Sequence, residues 1–337
     1  MLGRLLWIDR ATNAVTQREL TELPALMADE TGWLWLDIPE PDDEAAAVLR
    51  DVFKAHPAAV SDIVERNHLP RLHVYGQILL LVLHRPAVGE GGHMHYLELD
   101  QLIGPNYLVT SHGPRNLKVP LEWMVEQTDE VADRMLSGRF RPTAPWQASH
   151  RIVTVTAIAE ERFVNKLARQ VGKLEQKVMD RSAETNPQHF LEELFRARHA
   201  LLTVQTMTSQ AAEIYGRAIG LLGGRDQAVD AALADNKDAY DRLSRITASQ
   251  LAFLAGVTEY HRARTDTKMT IAAERLAVIA AVTLPVTAIS SIVGMNVISN
   301  DVTRWEWLAG LTAVMLGLSL VLLRWAKRQD GGESPVA

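Results

Sequence analysis

The residues best suited to chemistry stand near the C-terminal end, in Gly294-Met295-Asn296. An asparagine side chain offers a neutral carbonyl acceptor and an N–H donor in one group. Several copies of Asn296 around an axis could hold the water shell of a cation without gripping the ion so tightly that it cannot leave. Helix termination is the other reading, because glycine and asparagine both tolerate end geometries. A second candidate is the pair His93 and His95 flanking Met94. On a strand they share one face, which suits either a peripheral metal site or two surface histidines, and no third ligand can be assigned. His56, His68, His73, His84 and His112 form no recognisable catalytic constellation, and Ser111 beside His112 lacks both a placed acid and a G-x-S-x-G elbow. Dinucleotide and Walker phosphate motifs are missing. With no cysteine in the chain, disulfides, thiolate metal ligation and cysteine nucleophiles are excluded. Catalysis is therefore not expected.

The element that must carry Asn296 is Leu276–Val297, LAVIAAVTLPVTAISSIVGMNV, which holds no Asp, Glu, Lys, Arg or His. About 22 residues at 1.5 Å each span roughly 33 Å, enough for a bilayer core of about 30 Å. A second apolar run, Leu308–Leu323, is flanked by Trp307 and Trp325, rings suited to the lipid interface. The polar segment Ile298–Glu306 between them is too short for a domain. Two membrane helices forming a hairpin are expected; a water-soluble buried helical pair is the competing account. Arg324, Lys327 and Arg328 follow the second run, and Arg262, Arg264, Lys268 and Arg275 precede the first. Those cations place both flanks, and so both termini, on the cytoplasmic side of an inner or plasma membrane.

The chain has 337 residues with 41 acidic and 35 basic, a formal charge of -6 that does not suggest a nucleic-acid partner. MLGRLLWIDR has too short an apolar stretch for a signal peptide, so targeting is expected from the C-terminal spans. In the soluble portion, Leu5–Asp9 and Trp33–Asp37 read as short strands with a small helix or loop at Arg18–Asp29 between them. Glu44–Phe53 and Ala58–Arg66 read as helices. The acids Asp37, Asp42, Asp43 and Glu44 are explained by loop exposure and helix-start electrostatics. Leu72–His84 reads as a strand pair or one interrupted strand, followed by Tyr96–Leu99, Gln101–Ile103 and Tyr107–Thr110. Short strands flanked by helices argue for an α/β domain with mixed pairing.

After Pro120 the pattern turns helical: Leu121–Leu136, then His150–Arg181 with a seam of Phe163, Leu167, Val171, Leu174 and Val178, then His189–Leu222. A further helix is expected to restart near Asp235–Asn236. Continued to Asn296, it would be about 90 Å long, with Leu243, Ile246, Gln250, Phe253, Val257 and Tyr260 as its packing face. The expected organisation is an α/β domain over 1–140, a helical subdomain over 141–234, a stalk helix over 235–275, a first span over 276–297, an external loop over 298–306, a second span over 307–325 and a tail over 326–337.

With these elements in place, the chain resembles the CorA-type divalent-cation transporter superfamily, magnesium and cobalt transporters together with ZntB-like zinc transporters. PVTAISSIVGMN at 285–296, the two spans and their tight connection carry the resemblance. HPAAVSDIVERNHLPRLHVYGQILLLVLHRP at 56–86 and LIGPNYLVTSHG at 102–113 reinforce it. It implies a funnel-shaped homopentamer with a cytoplasmic α/β domain, long stalk helices and the first span lining a central pore. Gly294, Met295 and Asn296 then form the entrance, Thr287 and Leu284 face the pore, and Leu276 and Ala273 lie toward its cytoplasmic mouth. The spacings of Asn296, Thr287, Leu284 and Leu276 are read as one gently wound helix face.

The resemblance also places Glu259 where an acidic regulatory ligand of the stalk would sit, against the plainer reading of a solvated glutamate. Magnesium members usually carry an acidic M-P-E-L-type sequence after the tripeptide, where this chain has Val297-Ile298-Ser299-Asn300-Asp301. Asp301 and Glu306 remain to attract cations electrostatically. The implied cargo and regulator is a divalent cation, Mg2+ first and Co2+, Ni2+ or Zn2+ as alternatives, with no nucleotide or organic cofactor. Membrane lipids and further copies of the chain are the expected partners. Proton-coupled zinc transport and a membrane-anchored metal sensor that does not conduct are the rival functions.

Overall fold

A computed structural model describes residues 3–67, 69–224, 226–297, 309–310, 312–317, 319–321 and 324; the side chains of 184 and 292–297 are also outside what it describes. Two compact units divide the chain, Met1–Val257 and Thr258–Ala337.

The first unit is built on a seven-stranded sheet. Its strands are β1 (Arg4–Asp9), β2 (Val15–Arg18), β3 (Gly32–Ile38), β4 (Arg71–Tyr75), β5 (Ile78–Val88), β6 (Met94–Ile103) and β7 (Tyr107–Ser111). They lie in the order β2-β1-β3-β7-β6-β5-β4. Five neighbouring pairs are antiparallel and β3–β7 alone is parallel, with Leu36 opposite Val109. A parallel pair needs a long crossover, and here everything from residue 39 to residue 106 supplies it.

Every residue of β3 is buried, as befits a central strand covered on both faces. Its side chains alternate between two cores. Leu34, Leu36 and Ile38 pack with Leu49, Ala59 and Ile63. Those come from α2 (Asp43–Asp51) and α3 (Pro57–Val64), with α1 (Leu23–Ala28) adding Leu23. Trp33 and Trp35 face the other way onto Val131, Met135, Ala148 and Ile152, from α4 (Leu121–Leu136) and α5 (Pro145–Met179). A third core joins α5 to α6 (Pro187–Leu222) and to the first part of α7 (Gln227–Val297) through Leu167, Val171, Leu201, Tyr215, Tyr240 and Leu243.

Local chemistry explains most of the helix starts. Asp42 caps α2 by accepting from the Ala45 amide at 2.9 Å, and Asn186 caps α6 by accepting from His189 at 3.2 Å. Proline opens α3, α5 and α6, where a missing N–H costs nothing.

Several expectations are corrected by these elements. Residues 94–103 form one strand rather than two. Of the two readings of 72–84 the strand pair is the one found, a hairpin of β4 and β5 turned at Gly76-Gln77, with Gly76 at φ +65. Strand β2 was unforeseen: its residues are mostly exposed, so no hydrophobic alternation marks it. Asp37 is buried at the end of β3 rather than exposed in a loop. Helix α7 begins at Gln227, ahead of the expected 235. Its packing face includes Tyr240, Leu243, Leu254 and Val257, whereas Phe253 and Tyr260 are exposed.

Candidate functional site

Residues Thr258–Val297 of α7 belong to the second unit. The helix contains an 18-residue stretch of mean hydropathy 1.6, none of it buried. That separates it from the core helix of a soluble protein, which would be covered by its neighbours. Among the described residues, α7 is the one helix long and apolar enough to cross a bilayer.

Leu276 and Leu284 are 67% and 66% exposed, and Ala273, Thr287 and Glu259 are exposed too. At about 100° per residue, Ala273, Leu276, Leu284 and Thr287 fall within an arc of about 80°. Position 296, nine residues beyond Thr287, comes half a turn away on the same regular helix. The expectation of one shared face therefore holds for Thr287, Leu284 and Leu276, with Ala273 on the same arc, and not for position 296. Gly294-Met295-Asn296 occupies the last turn of α7, and its side chains lie outside the described residues, as do Asp301, Glu306, the loop 298–306 and the tail 326–337.

Pro285 stands inside the helix. It has no N–H to give the Ala281 carbonyl, so one acceptor is left over in an otherwise closed ladder. Two threonines nearby turn their hydroxyls to the backbone: Thr283 donates to the Ile279 carbonyl and Thr287 to the Thr283 carbonyl, each at 2.8 Å. With its proton committed in this way, the Thr287 oxygen faces outward as an acceptor, the role a cation or its water shell requires. Ser290 donates to the Met315 sulfur at 3.7 Å, so the shorter apolar helix Thr312–Val321 touches α7 here. Towards the N-terminal side of the stretch, Arg262 pairs with Asp266 at 3.8 Å; both are well exposed, so the pair adds little stability.

No group of three or more His, Asp or Glu able to hold a metal exists among the described residues. The rings of His93 and His95 meet edge to face at 4.9 Å and stand without a third ligand. Burial lowers the His95 pKa, and the neighbouring His93 adds to this.

The first unit holds buried polar groups that the sequence did not disclose. His112 Nε2 lies 3.0 Å from Asp37 Oδ1, Thr128 donates to Asp37 Oδ2 at 3.2 Å, Thr110 also donates to Asp37, and Trp35 Nε1 donates to Thr110 at 2.9 Å. Burial would raise the Asp37 carboxyl; the His112 charge, these hydrogen bonds and Arg4 outweigh it and hold the group below its ordinary value. Ser111 sits one residue off, on the opposite face of β7, so its hydroxyl does not join this pair; the hydroxyl that does is that of Thr128, 3.2 Å from His112 Nε2. On that opposite face Asn67 donates to Glu98 at 2.8 Å, and burial raises both Glu98 and Asp100. On α5, Glu160 is 2% exposed, and burial pushes it up to about 8 against the pull of Arg85. The register of the α5 seam, continued back from Leu167 through Val164, falls on Glu160; that was the available signal.

Residues 30–328 match the family described as CorA-like Mg2+ transporter protein. A protein named for metal-ion transport, YfjQ of Bacillus subtilis (strain 168), is 23% identical over 298 residues, 87% of each chain. Among solved structures, the CorA magnesium transporter of Methanocaldococcus jannaschii superposes with a TM-score of 0.76 at 13% identity, covering 96% of this chain and 97% of that one. Full-length CmaX gives 0.74 at 15% identity, with 97% and 98% covered. The cytoplasmic domain of ZntB from Vibrio parahaemolyticus gives 0.62 at 12% identity over 79% of this chain and 98% of that one. At these identities the superpositions establish a shared fold.

Proposed function

This chain belongs to the family of CorA-like Mg2+ transporter proteins, and we propose that it carries hydrated divalent cations, Mg2+ first, through a membrane pore at the axis of a homopentamer. The observation that carries the reading is the bare apolar stretch of α7, which ends in Gly294-Met295-Asn296 and has Ala273, Leu276, Leu284 and Thr287 on one arc. In this reading α7 and the segment 307–325 form a hairpin, both termini are cytoplasmic, and lipid covers the outer faces. The Ser290–Met315 contact supports the pairing of the two helices.

Magnesium gives up its water reluctantly. A ring of Asn296 carbonyls accepts hydrogen bonds from the retained waters, so entry does not require full dehydration. Asp301 and Glu306 raise the local cation concentration at the mouth. Because Asn296 stands half a turn from Thr287 on a regular helix, the last turns beyond Pro285 must rotate or tilt to bring it to the axis. Thr287 relays the ion through its outward oxygen. Leu284, Leu276 and Ala273 form the apolar constriction, which closes by dewetting when the helices tighten. Glu259 contributes an intersubunit regulatory site that favours closure when internal Mg2+ is plentiful. An inside-negative potential of about 100 mV supplies about 4.6 kcal/mol to a divalent ion, from about 2.3 per charge, so no nucleotide motor is needed.

Liposomes holding the purified protein test this with Mg2+, Co2+, Ni2+ and Zn2+ uptake under fixed voltage and pH gradients. Asn296→Ala should cut Mg2+ flux or selectivity sharply while the oligomer persists; unchanged flux rejects the entrance ring. Zn2+ uptake that needs a proton gradient, with negligible Mg2+ movement, would replace the Mg2+ reading by a ZntB-like one. Metal binding without any flux would leave a membrane-anchored sensor.

A further inference from the structure

A cavity of about 240 Å3 lies in the first unit, where the β4–β5 and β6–β7 ends of the sheet meet α5, α6 and the first turns of α7. We infer that it is a binding site for a small neutral molecule, largely apolar, with one hydrogen-bond-accepting oxygen. Its walls are mainly hydrocarbon, with Leu79, Leu81, Trp146, Leu222, Val229 and Leu233 contributing.

Three polar side chains of the lining are almost fully buried, Tyr215, Asn236 and Ser149, the last 5% exposed on α5. Tyr215 is 2% exposed, and its hydroxyl has no hydrogen-bond partner. Asn236 is 5% exposed, and its Oδ1 lies 2.9 Å from His150 Nδ1. With that oxygen occupied, the Asn236 amide N–H2 is what remains to be offered to a ligand. It lies near the Tyr215 phenol, close enough to oppose the upward push of burial on that group, although no hydrogen bond within 3.5 Å joins them. The amide N–H2 can only donate, and the phenol and the Ser149 hydroxyl each have an O–H to give, so an acceptor is the group that satisfies all three.

Charge selects against an anion. The one lining side chain able to become cationic, His150, has Asp235 at 3.5 Å from its Nε2, so no positive charge is left over for a carboxylate.

Size sets the scale of the ligand. An apolar cavity of about 150 Å3 accepts benzene; on that scale this one holds about ten non-hydrogen atoms. A bound molecule would bridge the sheet to α5, α6 and α7 and so stiffen the start of the helix that ends at Asn296. This inference does not depend on which ion is transported.

Equilibrium dialysis of tritiated 1-indanone, a neutral ketone of that size, against the full-length protein in lipid nanodiscs tests it, with empty nanodiscs subtracted. Saturable uptake of one molecule per chain is expected. Ala232→Trp, which fills the cavity, should abolish uptake. Tyr215→Phe should weaken 1-indanone at least tenfold while leaving indane, the same ring system without the oxygen, unchanged. Uptake no greater than empty nanodiscs, or equal in wild type and Ala232→Trp, overturns the site. If Ala232→Trp does not fold, equal weakening of both probes by Tyr215→Phe overturns the acceptor assignment.

Discussion

Glu160 is a carboxyl whose environment departs far from its water-exposed state. Its carboxyl stays protonated up to about pH 8 in the folded chain, whereas an exposed glutamate titrates near 4.3. Between those values the folded state binds more protons than the unfolded one, so stability falls as pH rises across the window and levels off above about 8. Each pH unit in that window costs up to about 1.4 kcal/mol. Glu160→Gln should flatten this slope and gain stability relative to wild type at pH 8.5, as read by urea unfolding in detergent at pH 6 and pH 8.5. Asp37 works with the opposite sign. Its carboxyl is held low, so its contribution is present above about pH 4 and is lost as pH falls through the folded value. Asp37→Asn should therefore destabilise at pH 7, and its deficit against wild type should shrink as pH falls below about 4 and through the folded value, measured the same way.

Asp37 carried no local sign of its burial and Glu160 only the backward register of the α5 seam, because burial of a charged group depends on which strand and helix face it meets. Gly294-Met295-Asn296 was legible, since a glycine and an asparagine closing a charge-free run is a local pattern. Its angular mismatch with Thr287 follows from spacing alone, on a helix that runs on to Val297 with Pro285 inside it.

At the scale of elements, the sequence disclosed the long helices because each carries its own period. Leu121–Leu136 came out with both ends right, and the later helices differed at their starts where proline precedes the first apolar residue. The sheet was harder. Strand order depends on contacts between residues far apart, and β3–β7 pairing joins segments that no local pattern links. In α7 the packing face was right at Leu243 and Val257 and wrong at Phe253 and Tyr260, because helical periodicity does not say where the neighbouring helices end. Leu243→Ala should thus cost about 2–5 kcal/mol, and Phe253→Ala, at a site 44% exposed, clearly less; parallel urea titrations of the two variants decide. In the apolar stretch, Ala281→Arg adds about 2.5–3.5 kcal/mol to insertion at the centre of a span. It should move the protein from the membrane pellet to the soluble or aggregated fraction on carbonate extraction.

For the whole molecule, the division at Val257 predicts different solvent requirements for the two units. A chain ending at Val257 retains all three cores of the sheet unit, and it should purify without detergent and unfold in one cooperative transition. The full chain carries the bare apolar stretch and should need detergent or lipid throughout. Sedimentation of both chains with and without detergent checks this, and a detergent-dependent 1–257 fragment would count against the division.

The parallel pairing of β3 with β7 has a consequence during synthesis. The central strand cannot find its partner until residues 107–111 leave the ribosome, yet every strand has been made well before Leu276 is reached. At about 5–20 residues per second, the nascent chain has roughly ten to thirty seconds in which to close its sheet before the greasy segment is translated. Targeting machinery that waits for that segment would therefore meet a domain already folded, and would have to deliver it without pulling it open.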